Sequence, residues 1–322
     1  MESEELQNAI YATSVLTTAD GTKVWLAASM SGLVRSTDGG STWHDAYASL
    51  NPQAAITTIA IAGSPSFAAD HYVLSGAIDG ILISQDAGAT WSALELPPPP
   101  PAVSSLAFSP TFDQDGFVFA GTLENGVYRS GNRGVQWDAW NFGLMDLNVL
   151  DVAVSPEFAT DKTLFAATES GIFRSTNGGR AWSDTAFPSD LAPVISIATS
   201  PLSGANHTLF AGTESCGLLR STDWGDSWSQ LADGHIEGPV NAMVFSLDYA
   251  AKPQILALVG NAVVLSSDGG ESWSDMHLES APRARVTSMA PITPIGPSMQ
   301  LLLGLTDGTV VTSRVSTGTT NL

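Results

Sequence analysis

Short apolar runs recur along the chain, often alternating with small or polar positions and closed by glycine, proline, serine or aspartate. A period of two with such punctuation predicts short β-strands. In one stretch of about 46 residues, Val103–Ser109, Gly116–Gly121, Gly126–Ser130 and Gln136–Trp140 read as four successive strands, A to D. Glycine or proline marks the junctions. The same succession returns along the whole chain, and four short antiparallel strands per repeat describe a propeller blade.

A second pattern fixes the register of the repeat. Ser36, Asp38, Gly40 and Trp43 recur as Ser84, Asp86, Gly88 and Trp91, then as Ser130, Asn132, Gly134 and Trp137. The series continues with Ser175, Asn177, Gly179 and Trp182, with Ser221, Asp223, Gly225 and Trp228, and with Ser266, Asp268, Gly270 and Trp273. Successive tryptophans lie 45 to 48 residues apart. The Asp or Asn oxygen suits acceptance of N–H groups from its own turn, the glycine suits φ > 0, and the indole covers the hairpin. Asn132 and Asn177 keep the acceptor oxygen.

These residues resemble the Asp-box (bacterial neuraminidase repeat) hairpin, over nearly the whole chain. The resemblance implies an all-β fold: a single seven-bladed β-propeller of four-stranded antiparallel blades, six with Asp-box hairpins and the seventh degenerate. Blades are expected near residues 10–48, 55–95, 102–140, 147–186, 193–231, 239–277 and 285–322. The seventh shows strands at Val286–Pro291, Gln300–Leu305 and Thr309–Ser313, while its box positions hold Thr312, Arg314, Ser316 and Thr319. Either the tail Ser316–Leu322 or the N-terminal Glu2–Ala9 is expected to complete its outer strand. The second choice would close the ring by strand exchange and remove two exposed edges.

Strand order divides the loops between two faces. A–B and C–D turns share one, which carries the boxes and a repeated Ser-Pro-x-Phe motif at Ser64, Ser109 and Ser155. B–C turns and D–A crossovers share the other. Its loops vary in length and chemistry, as binding loops on a rigid frame do. One crossover is the proline run Pro97–Pro101. Another, Trp140 to Asp146, offers Trp140, Phe142 and Met145 as candidate partner contacts, and a third contains His235. The B–C turns carry Asp79, Glu124, Glu169, Glu214 and Asp307 at nearly equivalent positions. Such carboxylates either ring one mouth of the channel, attracting a basic partner, or simply suit tight hairpins ending in glycine.

Charge sharpens the partner class. The chain has 12 basic against 32 acidic residues, a net charge of −20. Nucleic acid and anionic lipid need clusters of Lys and Arg, so neither is an expected partner. No apolar run is long enough to span a membrane, and the first residues lack an export signal's pattern. The expectation is a soluble, cytoplasmic chain, although a trimmed export signal would look the same. Cys216 is the single cysteine, and the five histidines lack metal-ligand spacing, so no cofactor or metal is expected.

Asp-box propellers include sialidases and xyloglucan-type glycosidases as well as receptors and photosystem assembly factors, so fold alone does not assign chemistry. A sialidase needs an arginine cluster. Here Arg35, Arg129, Arg174 and Arg220 each precede a box serine, and only Arg283 and Arg285 fall in a crossover. The expected function is therefore a non-enzymatic scaffold that binds a protein through the B–C and crossover face. The alternative is a carbohydrate-binding or carbohydrate-cleaving propeller, with Asp146, Asp151, Asp190, Glu237 and Glu279 as candidate acids.

Overall fold

The computed structural model describes residues 8–94, 96–202, 207–231, 235–279 and 282–317. Blade one consists of β1 (Ile10–Thr17), β2 (Lys23–Ser29), β3 (Gly32–Ser36) and β4 (His44–Asp45). Blade two is β5 (Thr58–Gly63), β6 (Val73–Ala77), β7 (Gly80–Ser84) and β8 (Ser92–Ala93). Blade three is β9 (Ala102–Phe108), β10 (Val118–Leu123), β11 (Gly126–Ser130) and β12 (Asp138–Ala139). Blade four is β13 (Val149–Val154), β14 (Leu164–Thr168), β15 (Ile172–Ser175) and β16 (Ser183–Asp184). Blade five is β17 (Val194–Thr199), β18 (Leu209–Thr213), β19 (Leu218–Ser221) and β20 (Ser229–Gln230). Blade six is β21 (Val240–Phe245), β22 (Ile255–Val259), β23 (Ala262–Ser266) and β24 (Ser274–Leu278), and blade seven is β25 (Val286–Pro291), β26 (Ser298–Leu305) and β27 (Val310–Thr317). Within each blade the strands pair antiparallel in chain order.

Among the described residues the seventh blade has three strands of its own. Its β27 runs straight through the degenerate box positions Thr312, Arg314 and Ser316 without turning; Thr319 lies outside the described residues. With no Asp or Gly to stabilise a hairpin there, the chain continues as a strand and pairs with β24 of blade six (Met276↔Thr317, His277↔Ser316, Leu278↔Val315). Blades six and seven thus form one seven-stranded sheet. This pairing takes up the outer edge of β24, which spans five residues where the other outer strands span two. The segment expected to supply an N-terminal outer strand lies largely outside the described residues, and Asn8 and Ala9 belong to no strand. Among the described residues, blades one and seven meet by packing: Trp25 of blade one meets Ala290 and Leu302 of blade seven in one apolar cluster, and the Thr287 hydroxyl donates to Ile10 O (2.6 Å).

All six boxes make the same bonds. The serine, buried each time, accepts the glycine N–H (Gly40→Ser36 3.0 Å, Gly134→Ser130 2.9 Å) and donates to the Asp or Asn oxygen (2.8 to 3.0 Å). That oxygen accepts a further N–H from four residues on, as with Thr42, Thr90, Gln136, Ala181, Ser227 and Ser272. The residue four on also follows a rule. Where the box holds Asp, a hydroxyl stands there and donates to the second carboxylate oxygen at 2.6 Å (Thr42, Thr90, Ser227, Ser272). Where it holds Asn, that second position is itself a donor, and Gln136 or Ala181 stands opposite. Of the box tryptophans, Trp91, Trp137, Trp182 and Trp273 are buried, while Trp43 and Trp228 are half-buried.

The arginines before the boxes have a task invisible in one repeat. Arg35 donates to Ala87 O of the next blade's box (2.9 Å), Arg129 to Gly178 O (2.9 Å) and Arg174 to Trp224 O (2.9 Å) and Asp226 (3.0 Å). Arg220 pairs with Glu271 (2.5 Å). In blade two, where Ile83 replaces the arginine, the Tyr72 hydroxyl donates to Arg133 O instead. Boxes two to six are therefore each clamped by the preceding blade. On the same face, the Ser-Pro-x-Phe turns form one-turn helices α1 (Phe67–Asp70), α2 (Phe112–Asp115) and α3 (Phe158–Asp161), whose final Asp accepts the starting serine hydroxyl (2.6 to 2.7 Å). Their phenylalanines are buried, so both repeated motifs are framework.

Candidate functional site

The opposite face begins at a feature shared by all seven blades. Each innermost strand carries a β-bulge at its entry, where Tyr11, Ile59, Ser104, Leu150, Ile195, Asn241 and Thr287 are the extra residues. A bulge bends its strand and frees backbone groups from the ladder. Side chains use this freedom to link neighbouring blades: Ser104 donates to Val149 O (2.5 Å) and Ser196 to Val240 O (2.6 Å). The residue after the bulge is small in six blades (Ala12, Ala60, Ser105, Ser196, Ala242, Ser288) and is Asp151 in blade four. Asp151 Oδ1 accepts the Ser105 hydroxyl (2.7 Å) and Val152 N–H (2.8 Å), while Oδ2 accepts Ile197 N–H (2.9 Å). It ties blades three, four and five, and burial pushes its pKa up against those hydrogen bonds.

Above the bulges, the B–C turns are laced to the crossovers beside them. Ile78 N–H donates to Thr57 O, Gly126 N–H to Leu147 O, Glu214 N–H to Pro193 O, Gly260 N–H to Pro239 O and Thr306 N–H to Arg285 O. Hydroxyls just before the acidic positions staple the turns: Thr122 donates to Gly126 O (2.7 Å), Thr168 to Gly171 O (3.0 Å) and Thr213 to Gly217 O (2.9 Å). The sequence reading overlooked these threonines, although their recurrence before the acid was a visible signal. The face is thus a rigid platform.

On this platform Asp79, Glu124, Glu169, Glu214 and Asp307 are all exposed. Glu169 Oε2 accepts Asn148 Nδ2 (3.2 Å), and Asn148 Oδ1 accepts Glu124 N–H (2.9 Å), so blades three and four share one polar link. Asp307 accepts both the N–H (3.0 Å) and the hydroxyl (2.6 Å) of Thr309, which lowers its pKa. His235 Nδ1 lies 3.1 Å from Asp275 Oδ1, joining its crossover to β24. Its neighbours Asp233 and Gly234 lie outside the described residues.

The crossover between blades three and four needs a correction. Phe142 and Met145 are exposed (82% and 81%), but Trp140 is half-buried. The guanidinium groups of Arg129 (4.9 Å) and Arg180 (5.5 Å) both lie over its ring, and its carbonyl accepts Trp182 Nε1 (2.8 Å). Two cation–π contacts help desolvate it, so it anchors the loop to blade four, while Phe142 and Met145 stand exposed. Asp146 is also internal to the loop, accepting Asn148 N–H (3.0 Å) and Ser170 N–H (2.8 Å).

Further apolar side chains accompany that loop. Among the described residues eight large hydrophobic side chains are exposed, and six lie on B–C turns or crossovers: Met30, Ile78, Leu123, Phe142, Met145 and Leu147. Only Val135 and Leu247 stand on the box face. A cavity of about 770 Å³ opens between blades six and seven, lined by β24, the crossover at 282–286 and the turn at Thr306 and Asp307. Another, of about 730 Å³, opens on the box face between blades six, seven and one. No group of three or more potential metal ligands occurs among the described residues, and none of their helices is long and apolar enough to cross a membrane.

Comparison with known proteins places the fold and leaves the ligand open. No family model matches the chain, and no curated protein matches it. Among solved structures, it is similar to YCF48 bound to a D1 peptide (TM-score 0.65, 16% identity, 97% of this chain and 95% of that one). It is also similar to the extracellular domain of BT4673 from B. thetaiotaomicron (TM-score 0.67, 14% identity, 95% of this chain and 38% of that one). The GH74 xyloglucanase from Xanthomonas campestris matches with TM-score 0.65 and 16% identity over 95% of this chain and 52% of that one. The chain thus spans about two-fifths and half the length of the last two. In fold, the protein is a seven-bladed Asp-box β-propeller.

Proposed function

We propose that the chain is a non-enzymatic docking module whose partner lies on the B–C and crossover face. The observation that carries this reading is the apolar arc Met30, Ile78, Leu123, Leu147 and Met145 running over blades one to four, on a platform whose loops are fixed by hydrogen bonds. Exposed Met and large aliphatic residues on a preformed surface supply contact area at low ordering cost. The arc runs beside Asp79, Glu124 and Glu169, so the partner that fits is a protein segment mixing apolar and basic side chains. The similarity to YCF48, whose structure holds a peptide, is consistent with this class.

A glycosidase reading needs two carboxylates facing a common cleft. Of its candidate acids, Asp146 and Asp151 have both oxygens taken by backbone or serine donors. That favours the docking reading. The test is capture from the source lysate by wild type, by a Met30→Ser, Ile78→Ser, Leu123→Ser variant, and by a box-face control with Val135→Ser and Leu247→Ser. Partner capture lost only in the arc variant supports the proposal. Capture lost equally in the control, or in neither, refutes it.

A further inference from the structure

The acidic turns do not encircle the platform. Blades two to five carry Asp79, Glu124, Glu169 and Glu214, whereas the equivalent turn of blade six holds Asn261 and that of blade one holds Ser31. Beside this gap, the crossover into blade seven carries Arg283 and Arg285 at the rim of the 770 Å³ cavity. Both are exposed, and among the described residues no carboxylate or acceptor engages either guanidinium. The arginines before the boxes differ: Arg35, Arg129, Arg174 and Arg220 are all committed to the neighbouring blade. In a chain of net charge −20, two unengaged guanidinium groups at one cavity mark a place for an anion.

The rest of the cavity says which kind. Its wall and floor include Val263, Met276, Leu278 and Val286, three of them buried. The one carboxylate there, Asp307, has Oδ1 turned onto Thr309 of its own turn. The site therefore brings two guanidinium groups and apolar side chains into the lining of one cavity. A peptide C-terminus presents that pairing, because its α-carboxylate and its last side chain diverge from a single carbon. An internal Asp or Glu offers the anion without an adjoining apolar group, and its backbone must leave the recess in both directions. The volume lies within the range of sites that enclose a small ligand.

We infer that the cavity between blades six and seven binds the free C-terminal carboxylate of a partner whose last residue is apolar, with Arg283 and Arg285 holding the carboxylate. This rests on the docking function proposed above and deepens it. The terminus anchors beside blade seven, and the preceding basic and apolar residues run over blades one to four. The arginine pair beside blades six and seven, set against the acidic turns of blades two to five, then fixes the direction of the bound segment.

The test uses fluorescence polarisation with labelled pentapeptides randomised at their last two positions, each made as the free acid and as the C-terminal amide. The expected result is that peptides ending in Leu, Ile, Val or Phe bind as acids about tenfold or more tighter than as amides. An Arg283→Gln, Arg285→Gln protein should bind the acids no better than wild type binds the amides. Both arginines are exposed, and circular dichroism should show the variant folded. Equal binding of acid and amide, unchanged binding by the double variant, or binding of N-acetyl-leucine as tight as that of the best peptide would overturn the assignment. So would no binding of either set. If the double variant then still captured the arc-dependent partner, the docking function would stand without this anchor.

Discussion

Asp151 gives the sharpest test of how the inner strands hold together. Replacing it with alanine removes the acceptor for three donors: the Ser105 hydroxyl, Val152 N–H and Ile197 N–H. One of these has a fallback, because Ser105 Oγ already lies 3.2 Å from Val152 N and can accept from it; the Ser105 hydroxyl itself loses its acceptor. Ile197 N–H loses the Asp151 carboxylate and gains no such substitute. A stranded buried donor costs about 1–3 kcal/mol, and losing the weaker Ser105 and Val152 bonds adds about 1 kcal/mol, so the expected loss is about 2–4 kcal/mol. For 322 residues, an unfolding entropy of about 2.1 cal/mol/K per residue converts this into a Tm fall of about 3–6 °C. The counterpart is Ser288, the same position in blade seven, whose buried hydroxyl has no hydrogen-bond partner among the described residues. Ser288→Ala should leave Tm unchanged or raise it by about 1 °C. Calorimetry of both variants at neutral pH checks the pair. An Asp151→Ala protein melting within 1 °C of wild type (roughly 0.7 kcal/mol), or a Ser288→Ala protein falling as far as Asp151→Ala, would refute the reasoning.

Trp182→Ala should cost about 3–5 kcal/mol, and because the Trp182 indole holds Trp140 O, limited proteolysis should show new cleavage between residues 140 and 146. Arg174→Lys should lose about 1–2 kcal/mol, since the shorter ammonium does not reproduce the position of Nη1, which holds both Trp224 O and Asp226; a urea midpoint equal to that of wild type would contradict the clamp. The Ser227 hydroxyl, Ser227 N–H and Ser221 hydroxyl hold the Asp223 pKa at about 2. A folded pKa below the unfolded value stabilises above about pH 4 and ceases to do so as pH falls toward 2. Ser227→Ala should therefore lower Tm at pH 6, and the difference from wild type should close by about pH 2. Asp151, whose pKa is raised, acts with the opposite sign: its contribution is full below about pH 4 and falls as pH rises through the folded value.

What could be read from the chain follows the range of the interactions involved. The boxes were legible because every bond in them, from Ser36 to Asp38, Gly40 and Thr42, closes within six residues. The threonines before the acidic turns act over an equally short range, each hydroxyl reaching a carbonyl three or four residues on. Trp140 was misread because its surroundings come from Arg129 and Arg180, on two different blades. Phe142 and Met145, two and five residues further along, have no such neighbours and stand exposed as expected.

By itself the sequence determined the blade, its register and the number of repeats, since turn chemistry and strand alternation act over a few residues and repeat with the chain. Only the tertiary structure decided how the blades join. Arg35 reaches Ala87 across 52 positions, Asp151 joins strands about 46 positions to either side, and β24 pairs with β27 because the seventh box cannot turn. The candidate surfaces are decided at the same level. The apolar arc draws on turns of blades one, two and three and on a crossover, and the arginine-rimmed cavity exists only where the blade six and blade seven sheets merge. Neither is a property of one repeat, because a binding surface on a propeller is assembled from loops that only closure of the ring brings together.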